Sequence, residues 1–174
     1  MEYTFTLKYQ LAAHESELDV LVERLGAAGC DDALVGIGLP GRLALVFTRE
    51  ADSAETAVRS ALADVQHAVP SAMLIEAAPD LVGLTDAAEI VGVSRQNMRK
   101  LMLAYPGDFP VPVHEGSASL WHLADILAWL QARGNYRLTQ DVVELAQVAM
   151  QVNVAKEARR LTHPETLGLE ALAS

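Results

Sequence analysis

The sequence predicts an α+β fold in which a unit with the element order β-α-β-β-α-β is followed by a smaller, mainly helical unit and a long carboxy-terminal helix. Three observations lead to this expectation. Short segments of residues 1–79 alternate apolar and polar side chains, which is typical of half-buried strands. Between these segments, apolar residues recur every three or four positions, as on one face of a helix. The same helical spacing dominates residues 80–161.

The elements of the first unit follow from these patterns and from the turn residues between them. The clearest strand has an apolar residue at every second position, namely Tyr3, Phe5, Leu7, Tyr9 and Leu11. Gly38, Pro40 and Gly41 mark a turn between two short apolar runs. The predicted elements are, in order, a strand at 3–11, a helix at 16–25, strands at 32–37 and 42–47, a helix at 52–65 and a strand at 72–77. Residues 1–79 are therefore expected to form one domain.

This element order resembles the ferredoxin-like fold, an antiparallel sheet with two helices on one face. The resemblance covers about residues 3–77 and rests on the order of the elements alone. Because that fold carries many unrelated activities, the resemblance implies an architecture for the first unit and no particular chemistry.

The segment at 84–101, LTDAAEIVGVSRQNMRKL, predicts two helices joined by a turn of about three residues. A tight angle between two helices needs a small residue where they touch, a glycine in the turn and an apolar anchor on the second helix. Ala88, Gly92 and Met98 supply these features in order. Ser94 stands where it can cap the second helix.

The segment resembles the helix-turn-helix of bacterial MerR-type regulators and of excisionase-like or AlpA-like proteins. The chain after it is similar to the wing and third helix of a winged helix-turn-helix, with two short extended segments around a glycine turn and then a helix at 124–132. Trp121, Asp125 and Trp129 match the family pattern in this part. We expect both tryptophans in the core rather than against DNA bases. The resemblance implies a DNA-binding domain over residues 80–134.

The second helix of this segment has a polar face suited to DNA. Arginine pairs with guanine, Gln and Asn pair with adenine, and Lys and Ser hold phosphates. The resemblance implies DNA contacts from Ser94, Arg95, Gln96, Asn97, Arg99 and Lys100 in the helix at 94–105, from Thr85 at the predicted cap of the first helix, and from Ser117 and Ser119 in the wing. Arg95, Gln96 and Arg99 are expected at base edges, and Ser94 and Lys100 at the backbone. The alternative is a helical hairpin that does not bind DNA.

The predicted wing departs from the family pattern. The wing of the family often contains Arg or Lys, whereas this one has only His114, Ser117 and Ser119. Glu115 opposes contact with a phosphate. Hydroxyl groups and the amide of Gly116 could still reach the backbone of DNA. Whether the wing touches DNA is therefore left open at this point.

A long helix is predicted from Thr139 to about residue 161, and it carries much apolar surface. One line of apolar residues follows a 4-3-4-3 spacing, namely Leu138, Val142, Leu145, Ala149 and Val152. By similarity to MerR-type regulators, this line is expected to pair with a second copy, so that a homodimer reads two half-sites. The alternative is that the helix folds back on its own domain. Residues 135–174 are expected to form this dimerisation helix and a tail from about residue 162.

The formal net charge of −10 is unevenly distributed. Residues 1–79 hold five basic and twelve acidic residues, a net charge of −7. Three of the four basic residues of 80–134 lie in the second helix of the predicted motif. We therefore expect the acidic first unit to face away from DNA and to bind a small ligand or a protein. A rival hypothesis is an adaptor or antitoxin-like protein whose acidic unit binds a partner while the helix-turn-helix autoregulates.

The remaining chemistry of the sequence is sparse. No unbroken apolar run indicates a secretory signal or a membrane span, and a single Cys30 fits a reducing compartment, so a cytoplasmic protein is expected. The histidines lack the spacing of metal ligands, and the acidic pair Asp31 and Asp32 is expected to be a solvated strand entry. We expect no metal, no cofactor and no enzymatic activity.

Overall fold

The computed structural model describes residues 1–161, and the tail predicted from about residue 162 lies outside them. The described chain is α+β, with six helices and antiparallel sheets. Its buried residues form two hydrophobic cores, one around a four-stranded sheet and one around a group of three helices. No helix in this part of the chain combines the length and the apolar character that a membrane crossing would need.

The four-stranded sheet has the order β2-β3-β1-β4, and every neighbouring pair is antiparallel. Its strands are β1 (Glu2–Gln10), β2 (Ala33–Gly36), β3 (Arg42–Glu50) and β4 (Met73–Ala78). The alternation predicted for β1 is confirmed, because the side chains of Tyr3, Phe5, Leu7 and Tyr9 are buried while their neighbours in the strand are exposed or half-buried. The first core therefore lies on one face of the sheet.

Two helices cover that face, α1 (Leu18–Ala27) and α2 (Ala54–Ala68). The second helix begins where Ser53 accepts a hydrogen bond from the backbone N–H of Thr56 over 3.1 Å. This cap satisfies a backbone donor that a helix start leaves free. Small residues such as Ala57 and Ala61 are completely buried along α2 and let it lie close to the sheet. We refer to these strands and helices as the sheet unit.

The second core is built by three helices and a small three-stranded sheet with the order β5-β7-β6. The elements are β5 (Leu81–Val82), α3 (Leu84–Val91), α4 (Arg95–Ala104), β6 (His114–Glu115), β7 (Ser119–His122) and α5 (Leu123–Arg133). Met98, Trp121 and Leu127 are among its buried side chains. We refer to this part as the helical unit. Its strand β5 was not predicted, because two residues are too few to show a period.

The last described helix, α6 (Gln140–Ala158), contributes side chains to both cores. Leu145 and Ala149 are buried in the core of the sheet unit, and Val143 and Ala146 are buried in that of the helical unit. Leu145 and Ala149, which were assigned to a dimer contact, are thus covered within the chain and are not available to a second copy in this structure. The other three residues of that line also pack against these cores: Leu138, Val142 and Val152.

A buried polar cluster fixes α6 against the chain between the two units. The amide of Asn153 accepts a hydrogen bond from the N–H of Ala77 and donates one to its carbonyl, both over 2.8 Å. The same amide donates to the fully buried carboxylate of Asp80 over 2.8 Å. His122 approaches that carboxylate through Nδ1 at 2.6 Å. Because buried polar groups need partners, this cluster specifies one position for α6.

Candidate nucleic-acid interface

The turn between α3 and α4 fixes the angle at which α4 leaves the core. Gly92 has a φ of 81°, a left-handed conformation that side chains other than glycine rarely adopt. The N–H groups of Gly92 and Val93 both donate to the carbonyl of Ala88 over 2.9 Å, which closes the end of α3. Ala88 is buried in the same core as Met98, which anchors α4 with no exposed surface. The glycine turn predicted at Gly92 and the apolar anchor predicted at Met98 are confirmed, and Ala88 is buried beside them.

The start of α3 lies two residues before the predicted one. Gly83, and not Thr85, occupies the cap position, and Thr85 is an exposed residue in the first turn. The carboxylate of Asp86 accepts a hydrogen bond from the N–H of Gly83 over 3.4 Å. The prediction of Thr85 as the cap is thus wrong, because glycine is also accepted at this position and the strand β5 sets where the helix begins.

The side of α4 that faces away from the core carries all the contact residues predicted for this helix. We call it the α4 face, and it consists of Ser94, Arg95, Gln96, Asn97, Arg99 and Lys100, which are all exposed. At about 100° per residue, Gln96 and Lys100 stand opposite the buried Met98, while Arg95 and Arg99 lie together on one flank. Ser94 also caps α4, since its hydroxyl accepts from the N–H of Asn97 over 3.1 Å.

The cations of the α4 face have no carboxylate partner within residues 1–161. Arg95, Arg99 and Lys100 take part in no ion pair there. Some other basic residues are paired, for example Arg24 with Glu15 over 2.8 Å, whereas Arg42 and Arg159 are also unpaired in the described chain. Three adjacent unpaired cations on one helix produce a local positive potential that is available to an anionic partner.

The carboxy-terminal end of α4 is held by contacts that the sequence did not reveal. The guanidinium of Arg133, at the end of α5, lies over the ring of Tyr105 at 3.9 Å and over that of Trp129 at 4.6 Å from their centroids. The indole N–H of Trp129 donates to Asp108 over 3.0 Å. These contacts join the chain after α4 to α5, so α4 is supported at both ends. Arg133 is therefore a positioning residue for the α4 face.

The hairpin of β6 and β7 places the predicted wing residues at different depths. Ser117 is exposed at the tip, whereas Ser119 is half-buried and pairs with Glu115 across the hairpin. A side chain at Gly116 would meet Nε2 of His114 at 2.7 Å, so the exposed imidazole would have to shift to make room for it. Glu115 is exposed beside this turn. Residues 114–119 of the hairpin include no Lys or Arg.

Both tryptophans contribute to the core beside this hairpin. Trp121 is buried and its indole N–H donates to the carbonyl of Pro110 over 2.9 Å. Trp129 is half-buried, and the ring of Phe109 packs edge-on against both indoles. The expectation that the tryptophans are core residues is confirmed for Trp121 in full and for Trp129 in part.

The polar residues beside Cys30 form a structural cluster instead of a reactive site. Arg49 binds both carboxylate oxygens of Asp32, over 2.7 and 2.9 Å, and Asp64 over 2.8 Å. The expectation of a solvated Asp32 is therefore wrong. Burial, followed by the charge of Asp64, raises the pKa of the Cys30 thiol to about 11. Among residues 1–161, no group of three His, Cys, Asp or Glu side chains is placed to hold a metal ion.

The α4 face is thus the one predicted site whose residues the fold assembles as a single exposed surface in the described chain. Comparison with other proteins adds no relative to this picture. No protein-family model, no curated protein and no solved structure matches the chain.

Proposed function

We propose that this protein is a sequence-specific DNA-binding regulator of transcription that inserts α4 into the major groove. One observation carries the proposal. The α4 face presents two arginines, a lysine and two amides to solvent, and its three cations have no carboxylate partner in the described chain. These are the side chains that read base edges and hold phosphates.

The surrounding geometry supports a winged helix-turn-helix. Such a domain places a short turn before the reading helix and a β-hairpin after it. Here the turn at Gly92 precedes α4, and the hairpin of β6 and β7 comes after it. In the same way, the order β2-β3-β1-β4 with helices on one face supports a ferredoxin-like sheet unit. Both assignments are part of the proposal.

Within the α4 face, the roles follow from position along the helix. Arg95 and Arg99 lie one turn apart on the same flank and would contact successive bases, while Gln96 stands further out. Ser94 and Lys100 would hold phosphates, with Asn97 and Thr85 at the margins. Ser117 at the tip of the hairpin can reach a phosphate, whereas the half-buried Ser119 is less accessible. Glu115 beside them opposes close approach of the hairpin to DNA.

The acidic sheet unit constrains how the protein meets DNA. Its charge of −7, from five basic and twelve acidic residues in 1–79, repels phosphates. The sheet unit would therefore face away from the duplex, and affinity would depend on the α4 face. A homodimer remains our expectation, because a single reading helix makes only a few base contacts. Since the apolar line of α6 is used within the chain, a dimer would need another surface.

The test is binding of the full chain to fragments of the DNA of its source organism at near-physiological salt, with sequencing of the retained fragments. We expect the native chain to enrich a defined sequence and the Arg95→Ala/Arg99→Ala variant to enrich none. The control is Lys8→Ala/Arg42→Ala, which removes the same charge from exposed positions of the sheet unit. Equal enrichment by the native chain and the α4 variant would refute the proposal.

The adaptor hypothesis is favoured by a different surface. Leu34 and Val46 are cross-strand neighbours on the uncovered side of the sheet, and Leu34 is 76% exposed. Ile37 and Leu39 in the adjoining turn are also exposed. Exposed apolar groups on a unit with a net charge of −7 suit a basic partner protein. A basic protein that copurifies with the native chain and with Arg95→Ala/Arg99→Ala, but is lost with Leu34→Asp, would favour this hypothesis over DNA reading.

A further inference from the structure

A large groove opens at the end of the sheet unit, far along the chain from α4. It has a volume of about 990 Å³ and lies between α2, the beginning of β4 and the last turns of α6. Its walls are largely apolar and include Leu62, Val65 and Val152. A cavity of this size and character is typical of sites for small organic ligands.

The rim of the groove is basic in a protein that is otherwise acidic. Four of the 13 lysines and arginines of the chain line it, namely Arg59, Lys156, Arg159 and Arg160. The single carboxylate in the lining is that of Glu157, which already pairs with Lys156 and Arg160 over 2.9 and 3.1 Å. Arg59 pairs with Glu55, which lies outside the lining, over 3.1 Å, whereas Arg159 forms no ion pair within the part of the chain described. The groove therefore has an excess of positive charge.

An unsatisfied polar group lies in the same place. Tyr9 is among the residues that line the groove, and it is 5% exposed. Its hydroxyl is buried and has no hydrogen-bond partner among the described residues. A buried hydroxyl without a partner is costly, so native proteins rarely retain one unless something else satisfies it.

We propose that this groove binds a small organic anion with an apolar body, such as a medium-chain carboxylate. The apolar walls would cover the hydrocarbon part, the basic rim would attract the acid group, and a polar atom of the ligand would satisfy the hydroxyl of Tyr9. A cation is disfavoured by the four basic side chains, and a fully polar anion would leave the apolar walls exposed to water. The proposal concerns the sheet unit and α6, and it does not require that α4 bind DNA.

The test uses the full chain and the fluorescent sulfonate 8-anilinonaphthalene-1-sulfonate, which is displaced by added ligands. We expect displacement by decanoate and none by decyltrimethylammonium at the same concentration. Ala155→Trp, at an exposed position in the lining, should fill the groove and abolish binding of the sulfonate. Equal displacement by the anion and the cation would overturn the proposal, as would unchanged sulfonate binding in folded Ala155→Trp.

Two further variants separate the role of charge from that of the hydroxyl. Arg159→Glu should weaken decanoate binding by about tenfold, whereas Arg137→Glu, an exposed control outside the lining, should change it by less than about twofold. Tyr9→Phe should weaken decanoate binding several-fold without lowering the melting temperature of the free protein. An equal effect of the two charge reversals, or a Tyr9→Phe protein that binds decanoate as well as the native one, would contradict the proposed site.

Discussion

Arg49 in the sheet unit and the cations of the α4 face are used in opposite ways. Arg49 is buried and its guanidinium makes five hydrogen bonds, to Asp32, Asp64, Ser60 and the carbonyl of Gly29. The cations of the α4 face are exposed and unpaired in the described chain. The charge of Arg49 stabilises the fold, whereas the charges of the α4 face are available to bind a partner.

The difference shows that the total charge of a protein says little about what its individual charges do. A buried guanidinium must have its carboxylates, because an uncompensated charge in the interior is very costly. An exposed cation remains hydrated and contributes little to stability whether or not it is paired. Substitutions in the two regions should therefore affect different measurements, with stability lost in the first and binding lost in the second.

The largest effect is expected from Arg49→Ala. Removing the guanidinium leaves Asp32 and Asp64 next to each other without a partner, and we expect a loss of about 3 kcal/mol in the free energy of unfolding. Urea denaturation followed by circular dichroism measures this. The matched control is Arg99→Ala, which should change stability by less than about 0.5 kcal/mol. A similar loss in both variants would remove the distinction between the two regions.

The next effect concerns Cys30, which lies beside the carbonyl that Arg49 binds. Its pKa is raised to about 11 from an ordinary value of 9.0, so the thiolate is disfavoured in the folded state. At pH 8 the thiolate fraction is about 100-fold lower than in the unfolded chain, and labelling by iodoacetamide should slow at least as much.

The sign of the pH dependence follows from the raised value. The stability that the neutral Cys30 thiol contributes is fully present below the ordinary pKa and is lost as the pH rises from about 9 towards about 11. Cys30→Ala should lack this part of the pH dependence. Rapid labelling of the folded protein at pH 8 would show that the cluster around Arg49 is open.

On the α4 face, Arg99→Ala should weaken binding to the specific DNA sequence by about 1 to 3 kcal/mol. Fluorescence anisotropy with a labelled duplex measures the loss, and the unfolding curve should be unchanged. Arg42→Ala, exposed in the sheet unit, is the control for a simple change of charge. An equal effect of both variants would mean that Arg99 does not read a base.

The smallest effect is expected from Lys100→Ala. If Lys100 holds one phosphate, its loss should reduce the slope of log K against log salt concentration by about 0.9 and weaken specific and non-specific DNA alike. Titrations at several salt concentrations give the slope. An unchanged slope would place Lys100 outside the contact surface.

Much of the local structure was predictable because its signals are contained in a few neighbouring residues. The alternation in β1 and the exposed cluster on α4 follow from periods of two to four residues. The left-handed conformation at position 92 follows from a glycine between two helical segments. The first failure, the cap of α3, arose where a strand of two residues sets the helix start. The support of α4 by Arg133 was also missed, because Arg133 is about thirty positions away from Tyr105 along the chain.

By itself, the sequence determined the order of the elements, the apolar lines that must be covered and the polar character of the α4 face. Only the tertiary structure decided what covers α6, because Leu145 and Val143 meet different cores according to how the two units are placed. The tertiary structure also decided that Asp32 pairs with Arg49 and that the side chain of Asn153 forms hydrogen bonds with the backbone of Ala77. Periodicity fixes which side of an element is apolar, but the partner of that side depends on contacts between residues far apart in the chain.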